Sequence, residues 1–178
     1  MKKKNLILYI ATSLDGYIAA PGDDLGFLDR VSRKGEDYGY VDFINGIDTE
    51  ILGRKTYEWV VNQVGKYESE GRKIYVITHR EMAAEGNIEF YNGDLKELVV
   101  KLKAQNGKDI FCNGGAEIVH QLLSFLLIDE IIVSVVPVLL GGGTPLFHEG
   151  RTMQELDLLG TKSYESGLVQ LHYRTIGE

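Results

Sequence analysis

The sequence predicts an α/β domain with a largely parallel sheet and an antiparallel hairpin at its C-terminal end. Three observations carry that expectation. Short apolar, β-branched runs alternate with helical stretches of about 8 to 12 residues, the pattern of strands joined by crossover helices. The first run, Leu6 to Ala11, lacks polar alternation, as an interior strand covered on both faces does. The last two β candidates, 156 to 165 and 168 to 176, are joined by Glu165-Ser166-Gly167, a turn signal between strands.

The elements follow in order. Leu6 to Ala11 ends in Thr12-Ser13-Leu14-Asp15-Gly16-Tyr17-Ile18-Ala19 and the punctuators Pro21-Gly22-Asp23-Asp24, so a long loop leaves the strand. Over 38 to 47, Tyr40, Val41, Ile44 and Ile47 form a helical stripe. Thr49 to Leu52 reads as a strand running into Gly53-Arg54-Lys55-Thr56, and Thr56 to Val61 opens a helix. Lys73 to Ile77 is a strand ending at Thr78-His79-Arg80, and Ile88 to Tyr91 is a weaker one. Asp94 then caps a helix with Leu95, Leu98, Val99 and Leu102 on one face, stopped by Asn106-Gly107. Asp109 to Cys112 is the next strand. Gly114-Gly115 leads into a helix carrying Ile118, Val119, Leu122 and Leu123, and Glu130 to Val136 is a strand closed by Pro137. Trp59 and the tyrosines are expected in the core and pocket lining.

Composition bounds the function. The chain has 178 residues, 44% of them hydrophobic and 25% charged, the profile of one ordered domain without linker or repeat. Its formal net charge of -7 repels a phosphate backbone, so no nucleic-acid partner is expected. Cys112 is the single cysteine and reads as a buried small hydrophobe. The basic start Met1-Lys2-Lys3-Lys4 resembles a leader, yet Thr12, Ser13 and Asp15 interrupt the apolar stretch behind it. No long apolar run suits a membrane span, and the expectation is a cytoplasmic protein. His79, His120, His148 and His172 are dispersed, so no metal site is expected.

Glycine is in excess, 21 residues or about 12% against a usual ~7%. The surplus falls just after predicted strands, at Gly16, Gly53, Gly114-Gly115 and Gly141-Gly142-Gly143. Strand C-terminal ends form the ligand-binding rim of open α/β sheets, and glycine there lets backbone amides approach an anion. Gly53-Arg54-Lys55-Thr56 is therefore either a phosphate pocket or surface charges beside an ordinary turn. Gly114-Gly115-Ala116-Glu117 is either a second such turn or tight small-residue packing. The sequence contains neither GxGxxG nor GxxxxGK[ST], so a nucleotide would need a different glycine arrangement.

Taken together, Ser13-Leu14-Asp15-Gly16-Tyr17-Ile18-Ala19, Leu52-Gly53-Arg54-Lys55-Thr56-Tyr57-Glu58, Asn113-Gly114-Gly115 and Pro137-Val138-Leu139-Leu140-Gly141-Gly142-Gly143-Thr144-Pro145-Leu146-Phe147 resemble the dihydrofolate reductase-like superfamily. They most resemble the branch of the C-terminal reductase domain of bacterial riboflavin biosynthesis, in a span of roughly residues 5 to 175. The resemblance implies a three-layer fold with a mixed, mostly parallel sheet of about eight strands and NADPH across the strand ends. It places Ala11 and Thr12 by the nicotinamide carboxamide and makes Leu14, Gly16, Tyr17 and Ile18 part of a mobile covering loop. Gly53, Arg54, Lys55 and Thr56 would hold the pyrophosphate and 2′-phosphate side. Thr78, His79 and Arg80 would lie at the adenosine end, with Gly114, Gly115, Ala116, Glu117 and Ile118 cradling the pyrophosphate. It also implies a homodimer, for which the strand at 130 to 136 and the terminal hairpin are the candidate surfaces.

The implied chemistry is hydride transfer from NADPH to an electron-poor C=N or C=O carbon, at a CH-NH or CH-OH type centre. The carbons would be held ~3–3.5 Å apart under the 14 to 24 loop. Candidate acids are Asp37, which matches the first-helix carboxylate of dihydrofolate reductases, and Asp15, which matches an early-loop aspartate of riboflavin-type reductases. Asp42 lies farther along the same helix. Each also has a structural reading, Asp37 as a helix-start charge and Asp15 as a turn residue. The expected substrate is pterin-like or of the aminouracil type, as for 5-amino-6-(5-phosphoribosylamino)uracil reductase. The fused deaminase and a basic cluster for a ribose phosphate are missing from the sequence. The alternative is a homodimeric nucleotide- or pterin-binding protein without efficient turnover.

Overall fold

The computed structural model describes residues 3–150 and 152–177, so the leader-like reading at Met1 and Lys2 lies outside the described residues. These residues form ten strands: β1 Leu6–Ser13, β2 Tyr17–Ala19, β3 Ile47–Gly53, β4 Lys73–Ile77, β5 Ile88–Tyr91, β6 Asp109–Gly114, β7 Glu130–Val136, β8 Thr144–Pro145, β9 Leu156–Ser163 and β10 Val169–Thr175. Among the described residues four α-helices lie between them: α1 Tyr40–Asn45, α2 Arg54–Val64, α3 Leu95–Lys103 and α4 Ala116–Ser124.

Eight strands form one sheet in the order β5-β4-β3-β6-β1-β7-β10-β9, while β2 and β8 make a separate pair. From β5 through β7 every pairing is parallel; β10 and β9 then add antiparallel. This is the mixed, mostly parallel sheet with a terminal hairpin that the sequence predicts. The central position of β1 explains its unbroken apolar run. Leu6 and Leu8 pack with Leu98, Val99, Val119 and Leu122 of α3 and α4 on one face. Tyr9, which alternation turns to the other face, stacks on Phe43 of α1 at 4.5 Å between ring centroids. Helices thus cover both faces.

Local chemistry sets the element ends. The Asp94 carboxylate accepts a 2.8 Å bond from the Glu97 N–H and starts α3. β1 runs two residues beyond its predicted end because Thr12 and Ser13 are buried and pair with Val135 and Val136. α1 is shorter than its stripe, since Tyr38 and Gly39 before it both have positive φ. α2 begins at Arg54 rather than Thr56, directly after Gly53. Cys112 is fully buried, and burial pushes its thiol up to about 12, as expected of a packing residue. Trp59 departs from the core expectation: it stands 39% exposed on α2, whose residues are nowhere fully buried. Among the described residues no helix is long and apolar enough to cross a membrane.

Candidate functional site

Parallel strands put all their C-terminal ends on one rim, and the sheet order makes β4, β3, β6 and β1 neighbours there. The sequence-predicted segments therefore come together as Thr78 to Arg80, Gly53 to Thr56, Asn113 to Ile118 and Ala11 to Ile18. Two turns touch. A Cβ on Gly53 would lie 3.3 Å from Ile118 Cγ1 and 3.8 Å from the Gly114 carbonyl. One on Gly115, whose φ is +77°, would lie 3.4 Å from Thr56 Oγ1 and 3.9 Å from Gly53 Cα. Glycine thus lets the N-termini of α2 and α4 converge, and no side chain caps either helix. Their first-turn N–H groups and helix dipoles point to one place, a ready anion site.

The surrounding side chains differ in readiness. Arg54 opens α2 and is ion-paired with Glu58 one turn on. Lys55 is exposed. The Glu117 carboxylate accepts a 2.9 Å bond from Gln121, which leaves its backbone N–H, with those of Ala116 and Ile118, as what this turn offers an anion. At the end of β4, the buried Thr78 hydroxyl accepts from the Arg80 N–H at 3.1 Å, and His79 and Arg80 are exposed.

The glycine-rich segment after β7 is stitched to the loop after β1. Asp15 is the clasp: its carboxylate accepts from Ser13 Oγ at 2.6 Å and from the N–H groups of Leu140 at 3.1 Å and Gly141 at 2.7 Å. Leu14 N–H donates to the Val138 carbonyl, Leu146 N–H donates to the Gly16 carbonyl, and β2 pairs with β8. The Ser13 hydroxyl first, then the Gly141 and Leu140 amides, hold the Asp15 carboxyl down to about 2. Its folded value lies below the usual 3.8, so the clasp is complete above pH ~4 and is lost as pH falls toward 2. Asp15→Ala is expected to expose segment 138–146 to proteolysis at neutral pH. The wild type should become comparably sensitive only near pH 2, which digestion with an acid-active protease checks. An unchanged neutral digestion pattern would show that the clasp does not hold the loop.

Beside the rim lies a cavity of about 310 Å³ between β1, β7, α1 and the 3-10 helix Gly26–Val31, a helix that the sequence reading did not identify. Ala11, Asp37, Tyr40 and Ser134 are among its lining residues. Its polar wall is built on the Tyr38 carbonyl. Tyr9 and Tyr164 donate to it at 3.1 Å each and Gln170 at 3.3 Å, while Gln170 Nε2 also reaches Ser134 Oγ at 3.0 Å and Tyr9 Oη at 3.1 Å. Tyr38 itself has φ +58°, an uncommon conformation for a bulky residue, and its hydroxyl donates to the Val31 carbonyl. Burial raises the Tyr9 phenol, keeping it a donor.

Asp37 stands at the cavity mouth, and its oxygens accept from the Val41 N–H at 2.9 Å and the Gly39 N–H at 3.0 Å. Those two bonds, Val41 first, lower its carboxyl from the ordinary value. Asp37 thus lies at the cavity, whereas Asp15 is engaged in the loop clasp and is absent from the cavity lining. Tyr9, Ser134 and Gln170 were not identified as site residues from sequence. Their signal was slight: a hydroxyl inside each of two otherwise apolar strands, and an amide in the tail.

Comparison with known proteins agrees with the fold. The family model of the RibD C-terminal domain matches residues 47–170. The Bacillus subtilis (strain 168) protein YwjB is 39% identical over 172 residues, covering 96% of this chain and 98% of its own. A Shewanella sp. PV-4 protein named for riboflavin biosynthesis superposes with a TM-score of 0.86 at 26% identity, covering 97% of this chain and 99% of its own. Two more distant structures share the fold. The Thermotoga maritima diaminohydroxyphosphoribosylaminopyrimidine deaminase/5-amino-6-(5-phosphoribosylamino)uracil reductase gives a TM-score of 0.74 at 15% identity, over 98% of this chain and 57% of its own. The Enterococcus faecalis dihydrofolate reductase, complexed with NADP(H), gives 0.65 at 14% identity, over 97% of each chain.

Proposed function

This chain belongs to the RibD C-terminal domain family, and from that premise we propose that it is an NADPH-dependent reductase acting on a pterin-like or aminouracil-type small molecule. The carrying observation is the pair of uncapped helix N-termini after Gly53, where a Cβ would lie 3.3 Å from Ile118, and Gly115, whose φ is +77°, on a sheet whose β1 also lines the 310 Å³ cavity through Tyr9 and Ala11. A dianionic pyrophosphate fits such a cradle. Arg54 and Lys55 would meet a 2′-phosphate, Thr78 to Arg80 the adenosine end, and Ala11 and Thr12 the nicotinamide. Bound there, NADPH supplies the hydride.

The chain's own residues supply position and protonation. Ala11 of β1 and Ser134 of β7, paired in the sheet, form the floor on which an acceptor ring lies. The clasped 14–19 loop excludes water from the rim. Asp37, ionised at neutral pH by its two amide bonds, accepts a hydrogen bond from the substrate or from a water that carries the proton. The Asp15 carboxylate, held to about 2, acts through the loop rather than as a donor. The same reading includes a homodimer formed through the hairpin face, where Leu156, Leu158, Val169 and Ile176 are exposed. Sedimentation should give a particle of twice the 19.9 kDa chain mass.

Oxidation of NADPH in the presence of dihydrofolate or a riboflavin-pathway aminouracil is the test. Turnover with either supports the reductase. Tight NADPH binding with no oxidation alongside either substrate would favour the binding-protein alternative.

A further inference from the structure

The most unusual charge in the core belongs to Glu50, in the middle of β3 and 1% exposed. Its Oε2 lies 3.5 Å from Arg72 Nε, and Arg72 reaches Glu70 at 2.9 Å. Its Oε1 receives two donors: the Tyr67 hydroxyl, and Asn113 Nδ2 at 2.6 Å. Asn113 Nδ2 also donates to Tyr67 Oη at 3.0 Å. Burial, then the neighbouring Glu50, raises the Tyr67 phenol, so its proton stays in place. A buried acidic group set among apolar strands is costly unless its partners are fixed, and here every partner is polarised in one direction.

The consequence falls on Asn113. Both of its N–H bonds are consumed by Glu50 and Tyr67, and flipping the amide would set its carbonyl against the Glu50 oxygen. Asn113 Oδ1 is therefore left as the acceptor end of the amide, on a half-buried residue. The backbone agrees independently. Ile51 pairs with Cys112 and Leu52 with Gly114, so Asn113 is the unopposed residue of a β-bulge, a device that re-aims a side chain. It stands one residue beyond the Leu8–Cys112 pair, where β1 carries the cavity residue Tyr9, and immediately before the Gly114-Gly115 turn.

We infer that Glu50, directly and through Tyr67, is a positioning residue that fixes Asn113 as a hydrogen-bond acceptor directly before the Gly114-Gly115 turn, where it reads an amino group on the bound substrate ring. The inference rests on the reductase reading for the identity of the two sites, and its test is separable from that reading. A site built for a donor discriminates against an isostere lacking it, because the acceptor is left unpaired. The probes are 6-aminouracil and 6-methyluracil, matched in shape and differing in one donor group, the exocyclic amine, titrated into the full chain with NADP⁺ present.

Wild type should bind the amino compound about tenfold more tightly. Asn113→Leu should abolish the preference. Tyr67→Phe should reduce it while keeping the fold, and Glu50→Gln, with a melting curve beside it, should do the same by freeing the amide to turn. In wild type the Asn113 side-chain amide protons should exchange slowly, and in Tyr67→Phe they should exchange faster. Equal binding of the two uracils, binding of neither, or a preference that survives Asn113→Leu overturns the inference. NADP⁺ binding, followed alone in the same samples, reports on the reductase reading: its absence would sink that reading whatever the uracils do.

Discussion

Gly143→Ala is expected to lower the melting temperature by roughly 5–10 °C and to cut turnover by about tenfold or more. The backbone at Gly143 has φ +128°, and a Cβ there would sit 2.0 Å from the Ala19 carbonyl oxygen and 3.0 Å from Ala20 Cα. Both obstacles are backbone, so no side chain can rotate away. Strain of this kind costs about 1–3 kcal/mol, and the clash forces β8 away from β2. The loop over the rim then loses its pairing and, with it, the exclusion of water. Gly142→Ala is the internal control. No atom lies within 4 Å of its added Cβ and its φ is not positive, so stability and turnover should hold. A Gly143→Ala protein with wild-type melting and wild-type turnover would show that this close approach is not structurally required.

Arg54→Ala is expected to raise the apparent KM for NADPH by about 10- to 100-fold and to leave the KM for NADH nearly unchanged. A hydrogen bond between charged groups contributes about 1.5–3 kcal/mol, whereas an exposed (i, i+4) pair such as Arg54–Glu58 contributes about 0.3–0.5 kcal/mol. On the proposed reading a 2′-phosphate would therefore outcompete Glu58 for the guanidinium. Arg54→Lys keeps the charge without the planar fork and should fall between the two. Equal effects on NADPH and NADH would place Arg54 away from the 2′-phosphate.

What could be read from the sequence follows a physical division. Lys73–Ile77 and Glu130–Val136, inside the sheet, and Ile88–Tyr91, at its edge, were predicted to their observed ends, because each is a short run rich in β-branched or aromatic residues. The glycines after strands were equally legible, since a Cβ on Gly53 would press on Ile118 at 3.3 Å and Gly115 holds φ +77°, a conformation that side chains disfavour. β2 and β8, three and two residues long, escaped because they exist only through each other, more than a hundred residues apart in the chain. The 3-10 helix Gly26–Val31 had no periodic stripe to announce it. The cavity wall was hidden for a related reason. Tyr9, Ser134 and Gln170 meet only when β1, β7 and β10 lie side by side.

The carboxylates show the limit most clearly. Asp15, Asp37 and Glu50 are all acids near predicted strand or helix ends or within a strand, and sequence ranked the first two as proton donors. Only the fold separates a loop clasp at Asp15, a helix-start residue at a cavity mouth at Asp37, and a buried anchor at Glu50. The signal for Glu50 was a charge inside the apolar stretch Thr49 to Leu52, which costs too much to be incidental.

The most direct measurement is calorimetric titration of the native chain with NADPH and, separately, NADH. The account predicts micromolar binding of NADPH, one site per chain, with NADH clearly weaker. No heat of binding with NADPH at millimolar concentration would contradict it.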